Sequence, residues 1–317
     1  MDPAQFLTAP RVTIVAGKGG VGKTTTAATL GVAATRVGLS ALIVEVEGKS
    51  GLGGLFGHDR LPYADTQLLA PTDTTGELRA RTLTPDDALV EYLEDHGLKR
   101  ISGRLSSSGA LDMVATATPG IRDVLILGKV KQLERSGAAD VIIVDAPAAG
   151  HAISFLRSAQ GLLDAVTVGP IETQAREVRD LLSDPERCQV MLVTLAEETP
   201  VNELVETAFS LEDRVGVALS PVVVNGLYPQ LAGLDVDPEV AAAEVGATLR
   251  PGEAAQLRDA AEFRMGRTAL QLEQVERLDH ELPLPQLPLP FLFTSELDRA
   301  DLDVLADALI EAIGALP

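Results

Sequence analysis

The sequence predicts an α/β protein with a doubly wound, mostly parallel β-sheet. Short β-branched segments alternate with helical segments along the 317 residues, as at 11–16, 141–145 and 188–195. Strands that alternate with helices form parallel sheets with helices on both faces. Hydrophobic residues make up 46% of the chain but aromatic residues only 3%, so Ala, Val, Leu and Ile must fill the core. We expect one domain over 1–317, because sheets of this class accommodate such a length.

The turn between the first predicted strand and the helix at 25–37 matches the phosphate-binding loop G-x-x-x-x-G-K-[ST]. Its glycines let backbone N–H groups approach phosphate oxygens, and the helix that follows directs its positive end to the same anion. Lys23 adds a point charge for the β- and γ-phosphates, and the Thr24 hydroxyl can join the shell of a Mg²⁺ ion. The motif predicts a P-loop NTPase. The expected nucleotide contacts are Gly17, Gly19, Gly20, Val21, Gly22, Lys23, Thr24 and Thr25.

Lys18 gives this loop a second lysine, directly after its first glycine. The run G-K-G-G-V-G-K-T-T resembles the deviant Walker A loop of the SIMIBI class of ATPases, which dimerise face to face. In that class the corresponding lysine reaches the partner's nucleotide. The resemblance implies a dimer with two ATP molecules between its protomers. The alternative is a solvated lysine at the mouth of the loop.

The composition excludes several classes of partner and site. A net charge of −20 lacks the basic footprint that binds nucleic acid or acidic lipid. No apolar run approaches about 18 residues, and no signal-type segment opens the chain, so we expect a cytoplasmic protein without direct membrane insertion. Cys188 is the only cysteine, which rules out an intrachain disulfide or a Cys-x-x-Cys site. Its apolar setting predicts an inert core thiol.

The second predicted strand, 40–46, leads into a pair of acidic residues. Period-2 alternation places Glu45 and Glu47 on one face, at the carboxyl end of the strand beside the P-loop. One of them could orient the attacking water or help to hold Mg²⁺, since phosphoryl transfer depends on positioning and charge compensation. The alternative is two carboxylates at a solvent-exposed strand end.

A helical insertion is predicted between the second strand and the next one. We expect a mobile loop over 51–80, where Gly, Leu and Thr are common and periodicity is weak. Thr84-Pro85 then predicts the start of a helix, and a second helix follows Pro119-Gly120. The insertion therefore covers about 84–135. Its apolar faces could pack on the sheet or hold a partner.

The next predicted strand ends in the Walker B pattern, with Asp145 closing the β-branched run 141–144. An acid in this position usually meets Mg²⁺ through water. Pro147, Gly150 and His151 follow in a turn that would lie next to the γ-phosphate. Backbone with Gly and Pro can adopt two arrangements there, so we expect a switch segment.

The rest of the chain continues the alternation. Further strands are predicted at 165–169, 188–195 and 217–224, with a helix at 201–211. Asn225 follows the last of these strands, where its amide could read the adenine edge or simply form a turn. The remaining segments are predicted as a helical stretch over 238–279 broken at Pro251-Gly252, an edge strand or extended loop over 282–291, and a packing helix from Ser295.

With these residues in view, the chain resembles the ArsA family of arsenite-pump and tail-anchored-protein-targeting ATPases. The likeness covers about residues 11–225. It lies in the stretch 17–25, the region of Glu47, Pro119-Gly120-Ile121, the stretch 145–151, which is similar to the family's Asp-Thr-Ala-Pro-Thr-Gly-His, and Val223-Val224-Asn225. The P-loop with its extra lysine is the most specific of these motifs.

The resemblance implies a role for each site residue. Lys23 and the loop glycines bind the ATP phosphates, Thr24 and Asp145 serve Mg²⁺, Lys18 acts across the dimer, and Asn225 lies on the adenine side. Glu47 lies where the family has a water-positioning Asp followed by Pro. Here the acid is one methylene longer and Gly48 replaces the proline, which bears directly on the rate of hydrolysis.

The cargo sites of the family are poorly represented. Arsenical pumps bind the metalloid with several cysteines, whereas this chain has one. Targeting ATPases use a Cys-x-x-Cys zinc clasp and a Met-rich groove, whereas the insertion here contains only Met113. Flexible methionine surfaces favour promiscuous apolar recognition, and this insertion does not have one.

The sequence therefore predicts a dimeric Mg-ATPase of ArsA type whose nucleotide state switches a helical surface that engages a protein cargo or a membrane partner. One alternative is a non-hydrolysing, nucleotide-gated binding module, alone or as a subunit of a hetero-dimer with a related ATPase. A second is an ATP-dependent carboxylate-activating ligase, which would need a polar substrate pocket. The third is anion export through a membrane partner.

Overall fold

A computed structural model describes residues 1–46, 51–95, 120–147, 149–166 and 169–317. The strands within these ranges are β1 (Val12–Gly17), β2 (Ala41–Val46), β3 (Thr66–Leu69), β4 (Leu78–Leu83), β5 (Val141–Asp145), β6 (Cys188–Leu195), β7 (Ala218–Leu219), β8 (Val222–Leu227) and β9 (Gln286–Pro290).

The helices in the same ranges are α1 (Pro3–Thr8), α2 (Lys23–Arg36), α3 (Gly51–Gly54), α4 (Pro85–Asp95), α5 (Ile121–Ser136), α6 (Ala149–Ala165), α7 (Pro170–Leu182), α8 (Glu198–Val215), α9 (Pro238–Glu244), α10 (Glu253–Glu281) and α11 (Arg299–Gly314). No helix of the described ranges combines the length and the apolar character needed to cross a membrane.

The strands form one sheet in the order β3-β4-β2-β5-β1-β6-β8-β9, and β7 pairs with β6. Every pairing among the described strands is parallel except that of β3 with β4. β1 lies between β5 and β6, so the loop that follows β1 opens at the centre of the carboxyl edge of the sheet. This is the mostly parallel sheet that the sequence predicted, and its carboxyl edge is where such folds bind ligands.

Apolar side chains cover both faces of the sheet, as a doubly wound fold requires. Helices α1, α2, α3 and α11 bury their apolar residues on one face, where Ile43, Ile143 and Val193 belong to the same cluster. Helices α5 to α8 and α10 cover the other face, which contains Ile14, Val44 and Leu192. Because aromatic residues are few, the central strands pack mainly through Val, Ile and Leu.

The predicted insertion divides between this core and a smaller one. Helix α5 contributes Val124, Leu127 and Val130 to the sheet core. Helix α4 instead packs on α5 through a separate small cluster, which contains Ala88, Ile121 and Leu125 with Leu89 and Tyr92 against it. The helices predicted at the two ends of 84–135 correspond to α4 and α5, while 96–119 lies outside the described residues.

The loop predicted over 51–80 was wrong, because this stretch contains α3, β3 and the start of β4. Strand β4 pairs in parallel with β2 and buries Leu78, Ala80 and Leu83. Arginine at 79 and 81 interrupts the continuous apolar run that a buried parallel strand usually has. Arg81 is buried because it pairs with Asp65 at 3.0 Å and stacks over the Tyr63 ring at 4.7 Å. Those partners are too distant in sequence to be read from the strand itself.

Three smaller boundaries also differ from the sequence prediction. The strand predicted at 165–169 was wrong, because α6 continues through Ala165 and Gly169 caps the start of α7, while residues 167 and 168 lie outside the described residues. The strand predicted at 217–224 is two strands, β7 and β8, interrupted at Ser220-Pro221. The last helix starts at Arg299 and not at Ser295, because Asp298 and Asp301 form a capping box.

Candidate nucleotide-binding site

The P-loop connects β1 to α2 and approaches neighbouring strands so closely at two glycines that a side chain would not fit there. Gly17 has φ of +157°, and a Cβ there would lie 2.4 Å from the carbonyl oxygen of Val193 on β6. Gly22 has φ of +95° at the N-cap of α2, and a Cβ there would lie 2.1 Å from Nδ2 of Asn225. Both glycines therefore let the loop pack directly against the neighbouring strands.

The two glycines between them face open space. A Cβ added at Gly19 or Gly20 would meet no atom within 4 Å. The loop thus leaves room for a ligand beside its backbone, at the point where α2 begins. Backbone N–H groups in a loop at a helix N-terminus bind phosphate oxygens. These residues fit a nucleotide phosphate.

Lys23 lies on the first turn of α2 and is 7% exposed. Its Nζ donates a hydrogen bond to the backbone carbonyl of Lys18 at 2.7 Å, so the side chain folds back over the loop. The ammonium group is held at the rim of the loop where the open glycines lie. This position suits the charge compensation of phosphates. Thr25, which the sequence also predicted as a contact, follows on the same turn and is partly buried.

Thr24 and Asp145 are in direct contact beneath the loop. Thr24 Oγ1 donates a hydrogen bond to Asp145 Oδ2 at 2.7 Å. Asp145 closes β5 and is wholly buried. The sheet therefore brings a hydroxyl and a carboxylate together although they are far apart in sequence, and both oxygens are of the kind that Mg²⁺ prefers. The described residues include no group of three or more His, Cys, Asp or Glu side chains able to hold a metal; a Mg²⁺ site that shares its ion with phosphates needs only one or two carboxylates.

Glu47 lies outside the described residues, together with 48–50. The residue that follows this segment lies close to the P-loop. β2 ends at Val46, and a Cβ at Gly51 would lie 3.7 Å from Cγ2 of Thr24. The water-positioning role of Glu47 stays a prediction.

Lys18 is the exposed cation of the loop, with 52% of its side chain accessible to solvent. Its Nζ forms an ion pair with Glu203 on α8. Glu203 was not singled out in the sequence, because nothing in its local pattern links it to a loop 185 residues away. In this single chain the lysine is held by its own protomer.

Asn225 supports the loop from β8. Its Nδ2 donates a hydrogen bond to the carbonyl of Val21 at 2.9 Å, and the same group contacts Gly22. Val21 itself is buried. The structure thus gives Asn225 a contact with the phosphate loop, which the sequence did not predict. Its role on the adenine side stays a prediction.

The predicted switch segment follows Asp145 and adjoins the insertion. The Ala146 N–H donates to the carbonyl of Val15 on β1 at 3.1 Å, which fixes the start of the segment. Residue 148 lies outside the described residues, and α6 then carries His151. Burial raises the pKa of Asp123 on the first turn of α5, against the opposing influence of His151. His151 of α6 thus lies close enough to α5 for its charge to act on Asp123, and the two helices share one apolar cluster.

Cys188 lies in β6 and is completely buried. Burial raises the pKa of its thiol to about 12. A thiol with so high a pKa is protonated at neutral pH and unreactive. The sequence prediction of an inert core cysteine is confirmed.

Comparison with known proteins agrees with this geometry. A family model described as anion-transporting ATPase matches residues 10–174. The ATPase BagA of Mycobacterium tuberculosis is 31% identical, over 96% of this chain and 94% of its own length. The ATPase get3 of Schizosaccharomyces japonicus is 30% identical over 45% of this chain and 42% of its own length. The arsenical pump-driving ATPase of Escherichia coli is 26% identical over 69% of this chain and 40% of its own length.

A phosphate-binding loop with a second lysine, a buried aspartate bonded to the loop threonine, and a family match over more than half of the chain point to one family. The chain belongs to the anion-transporting ATPase family, the ArsA family that its motifs resemble, and it is an ATPase.

Proposed function

We propose that this chain is a Mg²⁺-dependent ATPase that acts as a dimer and uses its nucleotide state to move the helical insertion. The observation that carries the proposal is the hydrogen bond between Thr24 and Asp145 beneath an open glycine loop. Mg²⁺ bound with ATP compensates the charge that develops on the phosphates. Thr24 and Asp145 would hold that ion, and Lys23 with the N–H groups of the loop would bind the phosphates.

Hydrolysis needs a group that orients the attacking water. We assign this role to Glu47, which follows the end of β2 by one residue at the carboxyl edge of the sheet. A carboxylate can accept a hydrogen bond from the water and align it with the γ-phosphate. The nearness of Gly51 to Thr24 supports the assignment, because it brings the chain close to the loop threonine four residues after Glu47.

Lys18 is proposed to reach the nucleotide of a second copy or of a related subunit. In the single chain Lys18 is paired with Glu203. Ion pairs between exposed side chains contribute only about 0–1 kcal/mol, so a partner's phosphates can displace Glu203 at little cost. When the dimer forms, this exchange would leave Glu203 at the interface without its ion pair to Lys18.

The insertion is the part that we propose to move. The switch segment starts at Asp145, which faces the Mg²⁺ site, and leads to α6, whose His151 acts on Asp123 of α5. Loss of the γ-phosphate would release contacts at the start of this path, as in other nucleotide switches. A change there reaches the insertion through α5.

A protein partner is the cargo that we favour. One relative is named an arsenical pump-driving ATPase, but an arsenical site built from thiolates would need more than the one buried cysteine of this chain. The insertion offers a helical surface instead, in which α4 rests on α5.

Mixing two inactive variants tests the dimer and the role of Lys18 together. Lys18→Ala keeps its own phosphate-binding lysine but cannot supply the lysine that acts across the interface. Lys23→Ala has the opposite defect. If Lys18 acts in trans, each variant alone is inactive, and a mixture regains ATP turnover at the site of the Lys18→Ala protomer.

If the two variants are mixed in equal amounts and dimers assemble at random, about half of the dimers are mixed, and each mixed dimer has one complete site. The mixture should therefore restore roughly a quarter of the wild-type sites. The dilution control is a mixture of Lys23→Ala with Arg214→Ala, a variant that changes an exposed residue of α8. No gain in the mixture, with each variant folded and with mixed dimers shown by size and cross-linking, would contradict the proposal.

A further inference from the structure

Glu45 is a buried carboxylate with an unused oxygen. It lies near the end of β2 and is 1% exposed. Thr82 Oγ1 on β4 donates a hydrogen bond to Glu45 Oε2 at 2.9 Å. The other oxygen, Oε1, is buried and has no hydrogen-bond partner among the described residues. A buried carboxylate oxygen without a partner is costly, so its retention needs an explanation.

The sheet places Glu45 beside the proposed Mg²⁺ ligands. Glu45 on β2 is in register with Asp145 on β5, the adjacent strand. Paired residues of parallel strands point to the same face, with strands about 4.8 Å apart. Ile43 and Ile143, two residues earlier on each strand, both belong to the cluster on the α2 face. Glu45 therefore lies on the α2 face, next to the carboxylate that bonds Thr24.

Two buried carboxylates side by side repel each other unless a cation lies near them. Asp145 is wholly buried and Glu45 almost so. ATP phosphates would add further negative charge in the same place. Lys23 contributes one positive charge to the loop, whereas Lys18 is paired with Glu203, so the local positive charge is smaller than two carboxylates and a triphosphate require. A divalent cation offsets part of that excess.

We propose that Glu45 is a third protein residue of the Mg²⁺ site, together with Thr24 and Asp145. The inference rests on the proposed function, since it assigns a further residue to the same Mg-ATP site. Oxygen ligands and one or two carboxylates beside phosphates are the setting in which proteins bind Mg²⁺. Oε1 supplies an acceptor for the ion or for its water molecules, and Thr82 fixes the orientation of the carboxylate through Oε2.

The Mg²⁺ dependence of nucleotide binding tests this role without relying on turnover. A fluorescent ATP analogue is titrated into wild type, Glu45→Gln and Glu212→Gln at a series of MgCl₂ concentrations and in EDTA. Glu212 is an exposed glutamate on α8 and serves as the matched control. We expect Glu45→Gln to require about 10–100-fold more Mg²⁺ for half-maximal enhancement of binding, the range found when a residue that supports a metal ligand is lost.

Binding in EDTA should be unchanged or tighter in Glu45→Gln, because the variant removes a negative charge near the phosphates. Its melting temperature without nucleotide should be equal to or above that of wild type, since repulsion with Asp145 is relieved. Glu45→Asp, which keeps the charge but shortens the side chain, should fall between the two in Mg²⁺ dependence. It also covers the case in which the glutamine variant does not fold.

Wild-type Mg²⁺ dependence in folded Glu45→Gln overturns the inference. If that variant then hydrolyses ATP poorly, Glu45 orients water and is not a metal-site residue. If its melting temperature without nucleotide drops instead, Glu45 has only a structural role through Thr82. Failure of the proposed function is a different result, in which the wild-type protein itself shows no Mg²⁺-dependent binding of the analogue.

Discussion

The P-loop and helix α4 are held in place by different kinds of contact. The P-loop sits on the central strands of the sheet, where Gly17 and Gly22 touch neighbouring strands and Asp145 is completely buried. Helix α4 rests on α5 through a small apolar cluster of its own. Beside this cluster, residues of α4, α5 and α7 line a cavity of about 190 Å³, with Ala88, Tyr92 and Leu125 next to charged and amide groups.

Ion pairs take the place of apolar packing beside this cavity. Lys129, which is 9% exposed, pairs with Glu91 on α4, and Tyr63 donates a further hydrogen bond to Glu91 at 2.6 Å. Lys131 pairs with Glu177 on α7. Moving α4 would exchange these polar contacts for water and uncover one small apolar cluster, whereas the helices on the sheet would uncover the main core. The comparison indicates that the fold fixes the nucleotide site and leaves α4 the easier part to move.

The largest effect is expected at the fixed region, from Lys23→Ala. Removing the charge that folds over the loop should lower ATP turnover by at least about 100-fold, as for the loss of a group that stabilises developing charge. Steady-state turnover measures it, with Arg214→Ala as an exposed control on α8. Residual turnover within tenfold of wild type would mean that the reaction does not take place at this loop.

Gly22→Ala tests how tightly the loop is packed. The substitution combines φ of +95° with a close approach to Asn225, so we expect a loss of about 3 kcal/mol in the free energy of unfolding. Gly216→Ala is the matched control, because Gly216 has φ of +72° but no atom within 4 Å of its Cβ position; it should lose about 1 kcal/mol. Urea denaturation compares them. Equal losses would show that contact with Asn225 does not constrain the loop.

Lys129→Met tests the polar attachment of α4. It removes the ion pair from a partly buried Glu91, and we expect a loss of about 2 kcal/mol in stability. The double variant Lys129→Met/Glu91→Gln should regain part of the loss, since no unpaired carboxylate remains. Chemical denaturation of wild type and the three variants gives the coupling between the two residues. If the losses of stability in the two single variants add up to the loss in the double variant, Lys129 and Glu91 do not stabilise each other.

The stability contributed by the pair of Lys129 and Glu91 should decrease in acid. Burial alone would raise the pKa of Glu91, but hydrogen bonds from Lys129 and Tyr63 outweigh it and lower the pKa below its usual range. A carboxyl with a lowered pKa in the folded state contributes stability above its ordinary pKa and loses it as the pH falls through the folded value. The melting temperature of wild type should therefore fall more steeply in acid than that of Glu91→Gln. Parallel profiles would contradict the assignment.

The smallest effect is expected for Asp123→Asn, with the opposite dependence on pH. Burial raises the pKa of Asp123, so its contribution is most favourable below the ordinary pKa of aspartate and is lost as the pH rises through the folded value. The melting temperature of the variant should be slightly above that of wild type at pH 7, and this difference should be smaller near pH 4. Thermal unfolding at several pH values measures the difference, and a gain that is larger in acid would reverse the argument.

The sequence predicted the features that local patterns determine. The P-loop, the buried runs of β5 and β6 and the edge position of β9 follow from spacing, β-branching and proline. Contacts across the sheet could not be predicted in this way. Strand β4 was missed because Arg79 and Arg81 interrupt the apolar run expected of a buried strand, and the partner of Lys18 lies on α8. Glu45 was noticed beside Glu47, but its burial and unused oxygen emerge only from the fold.

Distance measurement between spin labels tests the central claim most directly. Cysteines replace Asp86, exposed on α4, and Glu311, exposed on α11; the native Cys188 is buried and should not react. Dilution with unlabelled protein confines the signal to pairs within one chain. Labels at Glu212 and Glu311, on helices that pack directly on the sheet, form the reference pair.

We predict that the distance from α4 to α11 differs between the state bound to Mg²⁺ and a non-hydrolysable ATP analogue and the state bound to ADP, while the reference distance stays the same. Identical distance distributions for the α4 pair, with both nucleotides shown to be bound, would contradict the claim that nucleotide state moves the insertion.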